Sequence, residues 1–138
     1  MIYGLADLHL DYTKEKTMEV FGEGWKDYQN KIFDNWNDIV GVEDTVLLPG
    51  DISWAMDLKS AHIDLKRIDE KNGKKIILKG NHDYWWTSLN KINNLGLNTI
   101  EFLQNNSFKV EGYDICGTRG WMSRDSKDFT DHDEKIFN

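Results

Sequence analysis

The sequence predicts an α/β fold built around a parallel sheet, and three observations carry that prediction. Short β-rich runs alternate with helical apolar stripes over residues 1–103. The first three of those runs each end in a polar cluster, the place where open parallel sheets carry their functional groups. There is one proline, no repeat and no low-complexity tract, so no linker divides the chain. Its 138 residues form one domain over 1–138, long enough to bury a real core and too short for two.

Met1–Ala6 is the first predicted strand, Thr45–Leu48 the second and Lys75–Leu78 the third, each β-rich and without a 3.6-residue period. Between the first two, Trp25, Tyr28, Ile32, Trp36 and Ile39 recur at three- and four-residue steps, a helical stripe closed by Gly41. Leu58, Ala61, Leu65 and Ile68 repeat the pattern before Gly73. Trp85, Leu89, Ile92 and Leu95 outline a third, shorter helix ending at Gly96. The order β-α-β-α-β-α favours right-handed crossovers and a parallel sheet. Thr99–Leu103, Phe108–Val110 and Tyr113–Cys116 are short runs, the last two separated by Gly112, and they are expected to turn the sheet antiparallel near its edge. Thr130 and Asp133 resemble a capping box, and Glu134, Lys135, Ile136 and Phe137 continue a helix up to Asn138. That helix begins without being finished, so the domain is expected to be truncated at its C-terminus, the competing account being a short helix that frays.

Composition narrows the function. Lys plus Arg at 17 against Asp plus Glu at 24 gives a net charge of −7, which disfavours broad nucleic-acid binding. No apolar run is long enough for a membrane span or a signal-peptide core, which predicts a soluble, cytoplasmic chain. Cys116, the single cysteine, excludes an internal disulfide and a thiolate-rich metal site, and is expected to be a buried strand residue. Any metal must then be held by oxygen and nitrogen.

Asp7 and His9 stand two apart at the end of the first strand, where period-2 alternation turns both to one side. By itself such a pair is better explained as a polar strand end. Gly50-Asp51 ends the second strand, with Asp51 also able to cap a helix. Gly80-Asn81-His82-Asp83 ends the third, and alone it reads equally as an Asn-containing turn with Asp83 capping the helix that follows. Together the three clusters fall on one edge of the predicted sheet, one after each strand, which makes coincidence a poor explanation.

This set, Asp7-Leu8-His9, Gly50-Asp51 and Gly80-Asn81-His82-Asp83, resembles the first three motifs of the calcineurin-like metallophosphoesterases, in the same order. PGDISWAMDL, LKGNHDYWW and CGTRGW are similar to a bacterial branch of predicted phosphohydrolases in that superfamily. The resemblance implies a metallophosphoesterase-like αββα sandwich of two sheets. Relatives of that kind carry later motifs, a lone His and a Gly-His-x-His, which do not occur in this sequence. The second sheet is therefore expected to be incomplete, with one sheet face uncovered and open to self-association.

The resemblance also implies roles. Asp7 and His9 would bind a first metal, Asp51 would bridge two, and Asn81 would bind the second; such ligands suit Mn²⁺, Fe or Zn²⁺. A bridging carboxylate serves ions roughly 3.5 to 4 Å apart, and the pair activates a water for attack on phosphorus. His82 would bond phosphate and protonate the leaving oxygen, its bland alternative being a turn histidine. Asp83 would orient His82 or cap the next helix. Arg119 would clamp a phosphate or form a surface salt bridge. With only Asp51 and Asn81 for the second ion, that site is expected to be weak and turnover slow. A non-catalytic metal- or phosphate-binding module is the alternative.

After Gly50-Asp51 the chain reads Ile52-Ser53-Trp54, not the Asp-Arg-Gly of many family phosphatases, which argues against protein phosphatase activity and for a small phosphorylated substrate. Trp54, Trp85, Trp86 and Trp121 lie near the motifs, where an aromatic stacking wall competes with core packing as their role. His62 beside the second stripe and His132 at the last helix start read as a packing and a solvated residue.

Overall fold

The computed structural model describes residues 1–137; Asn138, the end of the expected terminal helix, lies outside the described residues. Four strands, β1 (Ile2–Gly4), β2 (Thr45–Leu48), β3 (Lys74–Leu78) and β4 (Ile100–Leu103), form one sheet in chain order, all parallel. Helices α1 (Tyr28–Ile39), α2 (Leu58–Asp69) and α3 (Leu89–Asn93) connect them in turn. A separate antiparallel hairpin follows, β5 (Asn106–Val110) and β6 (Tyr113–Gly117), and then α4 (Asp131–Phe137). The architecture is mixed α/β, as the sequence predicts, and among the described residues the expected second sheet is represented by the hairpin alone.

A sheet whose strands stay in chain order receives its crossover helices on one face. The larger core joins Phe33 and Trp36 of α1, Ala61, Leu65 and Ile68 of α2 and Ile92 of α3 to Val46, Leu48, Ile77, Ile100 and Phe102 of the strands. Alternate strand residues serve the other face: Ile2, Leu47, Ile76, Leu78 and Leu103 pack with Phe108, Val110 and Ile115 of the hairpin. That second face is thus covered in part, with Ile2, Leu47 and Leu78 left half-buried. A cleft of about 170 Å³ between Leu47, Pro49, Ile76, Leu78, Leu103 and Ile115 remains.

Several elements differ from expectation for local reasons. The predicted antiparallel turn of the sheet does not occur, because residues 100–103 pair parallel with β3 and the hairpin stands apart. Trp25 sits in a 3-10 turn, since Asp27 has φ +54 and breaks the stripe before Tyr28. Ile39, on the same stripe, is 61 % exposed at the helix end. Trp85 lies outside α3, whose start is fixed by the Ser88 hydroxyl accepting from Lys91 N. Cys116 is exposed rather than buried, because alternate residues of β6 face outward.

One charged group supports the sheet from below. Lys75, the second residue of β3, is fully buried, its ammonium donating to the carbonyls of Asp69, at the end of α2, and Lys71, just beyond it, and to Thr99 Oγ1 before β4. It therefore ties helix and strand ends together where carbonyls lack partners. Burial pushes its pKa down to about 8, against an opposing pull from Asp69.

Candidate metal centre

Loops leaving β1, β2 and β3 lie side by side because those strands are adjacent and parallel. Gly50 and Gly80 set how closely the second and third loops approach. Gly50 has φ +104, and a Cβ on it would lie 2.6 Å from the Gly80 backbone. A Cβ on Gly80 would lie 2.1 Å from Asp51 Oδ1, so only hydrogen fits at either position.

The first loop is zipped onto the second by Asp7 N to Gly50 O (3.1 Å), His9 N to Asp51 O (2.9 Å) and Leu10 N to Ile52 O (2.9 Å). Asp7, His9 and Asp51 have φ values of +58, +43 and +51, a left-handed region that residues other than glycine seldom adopt. Strand alternation is therefore not what brings Asp7 and His9 together. β1 has ended at Gly4, and the left-handed turns at residues 7 and 9 aim both side chains toward Asp51 while Leu8 is buried between them.

Helices brace these loops through contacts that sequence reasoning missed. The Tyr28 hydroxyl donates to the His9 carbonyl. The Gln29 side chain exchanges two 3.2 Å bonds with the Asp11 backbone. Ser53 Oγ donates to Asp64 at 2.8 Å, and Arg67 bonds both Asp64 and Gln29 at 3.0 Å. Burial pushes the Asp64 carboxyl above its ordinary value, against the Ser53 and Arg67 bonds. No local pattern announces such a network, whose members are scattered from residue 11 to residue 67.

Asp83 takes neither of its expected roles. It is fully buried and accepts from Asp51 N (2.9 Å), Ile52 N (2.8 Å), Ser53 N (3.3 Å), Gly80 N (2.8 Å) and Trp85 Nε1 (3.0 Å). The carboxylate thus pins the second loop to the third, Ser88 caps α3 instead, and the His82 ring bonds to Asp51. Asp83 is a positioning residue.

Asp51 is the hub. Its Oδ1 accepts from His82 N and its Oδ2 from His82 Nδ1, each at 2.9 Å. Burial alone would raise its carboxyl, but these His82 bonds, with His82 and His9 beside it, hold it below the ordinary carboxylate value. His9 Nε2 lies 3.7 Å from Asp7 Oδ1 and 3.9 Å from Asp51 Oδ2. Asn81 stands exposed at the rim, its amide 3.3 Å from His82 Nδ1. Arg119 forms no salt bridge among the described residues: its guanidinium lies 4.2 Å over the Trp121 ring, with Nε buried and without a hydrogen-bond partner there. Burial lowers the Lys79 pKa, and the positive charge of Arg119 lowers it further, so two cations flank the base of the third loop. His62 is half-buried on α2 and His132 is exposed on α4, as their bland roles require.

The donor set fits a divalent cation. Asp7, His9 and Asp51 each offer a ligand atom, and these atoms lie within 4.8 Å of one another. The 3.7 and 3.9 Å separations are too long for hydrogen bonds. They are close to the roughly 3.0 to 3.5 Å between neighbouring ligand atoms around a Zn-sized ion. His9 Nδ1 is buried without a hydrogen-bond partner among the described residues, so among them the ring is oriented by stacking rather than by the usual outer hydrogen bond. Trp54 supplies that stacking at 4.7 Å and 23°.

Comparison with known proteins agrees. The structure is similar to a solved protein of unknown function from Aquifex aeolicus, AQ665, with a TM-score of 0.54 and 19 % identity over 99 % of this chain and 70 % of that one. At that identity the likeness concerns the fold. None of the curated proteins compared matches the chain. No helix among the described residues is long and apolar enough to cross a membrane. The calcineurin-like phosphoesterase family matches residues 1–137, nearly the whole sequence and all three motif loops, and the chain belongs to that family.

Proposed function

We propose that the protein hydrolyses small phosphate esters in the cytoplasm, with two divalent cations, Mn²⁺, Fe or Zn²⁺, held by Asp7, His9, Asp51 and Asn81. The observation that carries this reading is the convergence of Asp7, His9 and Asp51 within 4.8 Å at the sheet edge of a calcineurin-like phosphoesterase. When bound, such ions supply Lewis acidity toward phosphoryl oxygens and a water nucleophile usable at neutral pH.

The chain's own groups have distinct tasks. Asp51 offers two oxygens and is held in place by the loop contacts of Gly50 and Gly80. Asn81 adds a neutral ligand, which preserves positive charge at the centre and draws a phosphate despite the net charge of −7. His82 directs Nδ1 to Asp51, leaving Nε2 to bond the phosphate or carry a proton. As the oxygen of water bonds to phosphorus, the ester P–O bond breaks, and the leaving oxygen takes a proton from His82 Nε2, which the attacking water restores. Arg119 and Lys79 add positive charge beside the third loop.

Titration with Mn²⁺ while following nitrophenyl phosphate and bis-nitrophenyl phosphate tests this. Saturable, cation-dependent turnover, reduced about 100-fold or more by Asp51→Asn, is the expected result. Turnover without divalent cation, or undiminished in Asp51→Asn, would overturn it. Cation binding with no turnover of either ester identifies a binding module instead.

A further inference from the structure

We propose that the ester held at this centre carries a flat aromatic group, seated on Trp54 in the cleft it shares with Met18, Val20 and Phe21; the inference rests on the phosphoesterase reading above. Of the four tryptophans near the motifs, Trp85 and Trp86 are buried in the core and Trp121 is engaged with Arg119 and Asp133. Trp54 alone touches the centre. It stacks on His9 at 4.7 Å and lies tilted against His82 at 5.0 Å, so it borders both a metal-ligand ring and the ring assigned to proton transfer.

Trp54 also lines a cleft of about 310 Å³ with Met18, Val20 and Phe21, its other edge formed by Glu15, Lys16 and Thr17, within the size range of small-molecule sites. Val20 is 77 % and Phe21 70 % exposed, side by side on a short 3-10 turn. Large apolar residues left contiguous in solvent mark a binding surface. An ester anchored by its phosphate on the cations that Asp7, His9 and Asp51 would hold has its leaving group within reach of this cleft, because the same indole borders both. The chemistry that matches an indole rimmed by apolar side chains is a planar aromatic ring, bound by stacking and burial. A small polyol or alkyl leaving group would leave these side chains in water.

The test uses the full chain loaded with Mn²⁺ and calorimetric binding of 1-naphthylphosphonate against methylphosphonate, which neither requires nor permits turnover. Naphthylphosphonate should bind about tenfold or more tightly. Phe21→Ser should cut that ratio at least threefold, Trp54→Ala should abolish it, and Val42→Ser, outside the cleft, should leave it intact. Should Trp54→Ala disturb His9 and lose Mn²⁺, Phe21→Ser still decides. Equal binding of the two phosphonates to the loaded chain overturns the aromatic seat while leaving the phosphoesterase reading standing. Failure of both to bind overturns the two together. If Phe21→Ser instead turns a dimer into a monomer with the ratio unchanged, the patch seats a second copy and the proposal falls.

Discussion

Replacing Asp83 by Asn is the sharpest probe of how the centre is held. The wild-type carboxylate receives five donors, three on Oδ1 (Ile52 N, Ser53 N and Trp85 Nε1) and two on Oδ2 (Asp51 N and Gly80 N). An asparagine keeps the shape but can present only one acceptor. Its best orientation puts the carbonyl at the Oδ1 position, and the amide NH₂ then confronts the Asp51 and Gly80 N–H groups, donor against donor. One buried donor, Asp51 N, and one half-buried donor, Gly80 N, left without acceptors at roughly 1 to 3 kcal/mol each give a loss of about 3 kcal/mol, a large share of the roughly 5 to 15 kcal/mol that holds a domain together. Urea unfolding followed by tryptophan emission, to which Trp85 contributes, should show the midpoint fall at unchanged slope, with a drop in Tm of about 10 °C. Mn²⁺ affinity should fall as well, because both donors belong to the loops that carry Asp51 and Asn81. A variant within about 0.5 kcal/mol of wild type, with full cation affinity, would refute the claim that this carboxylate organises the centre.

Two further outcomes follow from the geometry. Gly80→Ala, whose Cβ would meet Asp51 Oδ1 at 2.1 Å, should push Asp51 aside and abolish Mn²⁺ binding in calorimetry while circular dichroism still reports the helices. Lys75 releases its proton near pH 8 when folded and near 10.5 when unfolded. The unfolded chain binds the extra proton between those values, so stability should rise with pH across that window, by no more than about 3 kcal/mol. Denaturation midpoints from pH 7 to 11 should show this rise in wild type and a smaller one in Lys75→Met, where Lys79, also lowered by burial, still contributes.

What the sequence discloses depends on how local the cause is. The first three parallel strands and the cores of α1 and α2 are visible because the short β-rich runs and the 3.6-residue stripe are set by neighbours such as Leu58, Ala61, Leu65 and Ile68, whereas the parallel pairing of β4 with β3 is not. The site's location is visible because a short side chain with a ligating oxygen recurs after each of the first three strands, at Asp7, Asp51 and Asn81. The means of convergence was hidden: positive φ at Asp7 and His9 belongs to residues with no outward sign of it, and it is imposed by amide bonds to the second loop. Asp83 looks like a cap because caps are the local option for an aspartate before a helix, whereas its partners Asp51, Ile52 and Ser53 lie some thirty positions earlier. Trp54 could not be told from Trp85 by composition. What separates them is that one ends on the loop surface against His9 and the other under the third loop against Asp83.

Because amides from both the second and third loops hang on one carboxylate, the floor beneath the ligands behaves as a single keystone piece that cannot be retuned in parts. Change is free only above it, at Tyr84 and the Trp54 cleft, where side chains reach solvent without bearing on that anchor. A redesign of substrate preference should therefore begin at those outer positions and treat residues 50–53 and 80–83 as an indivisible block.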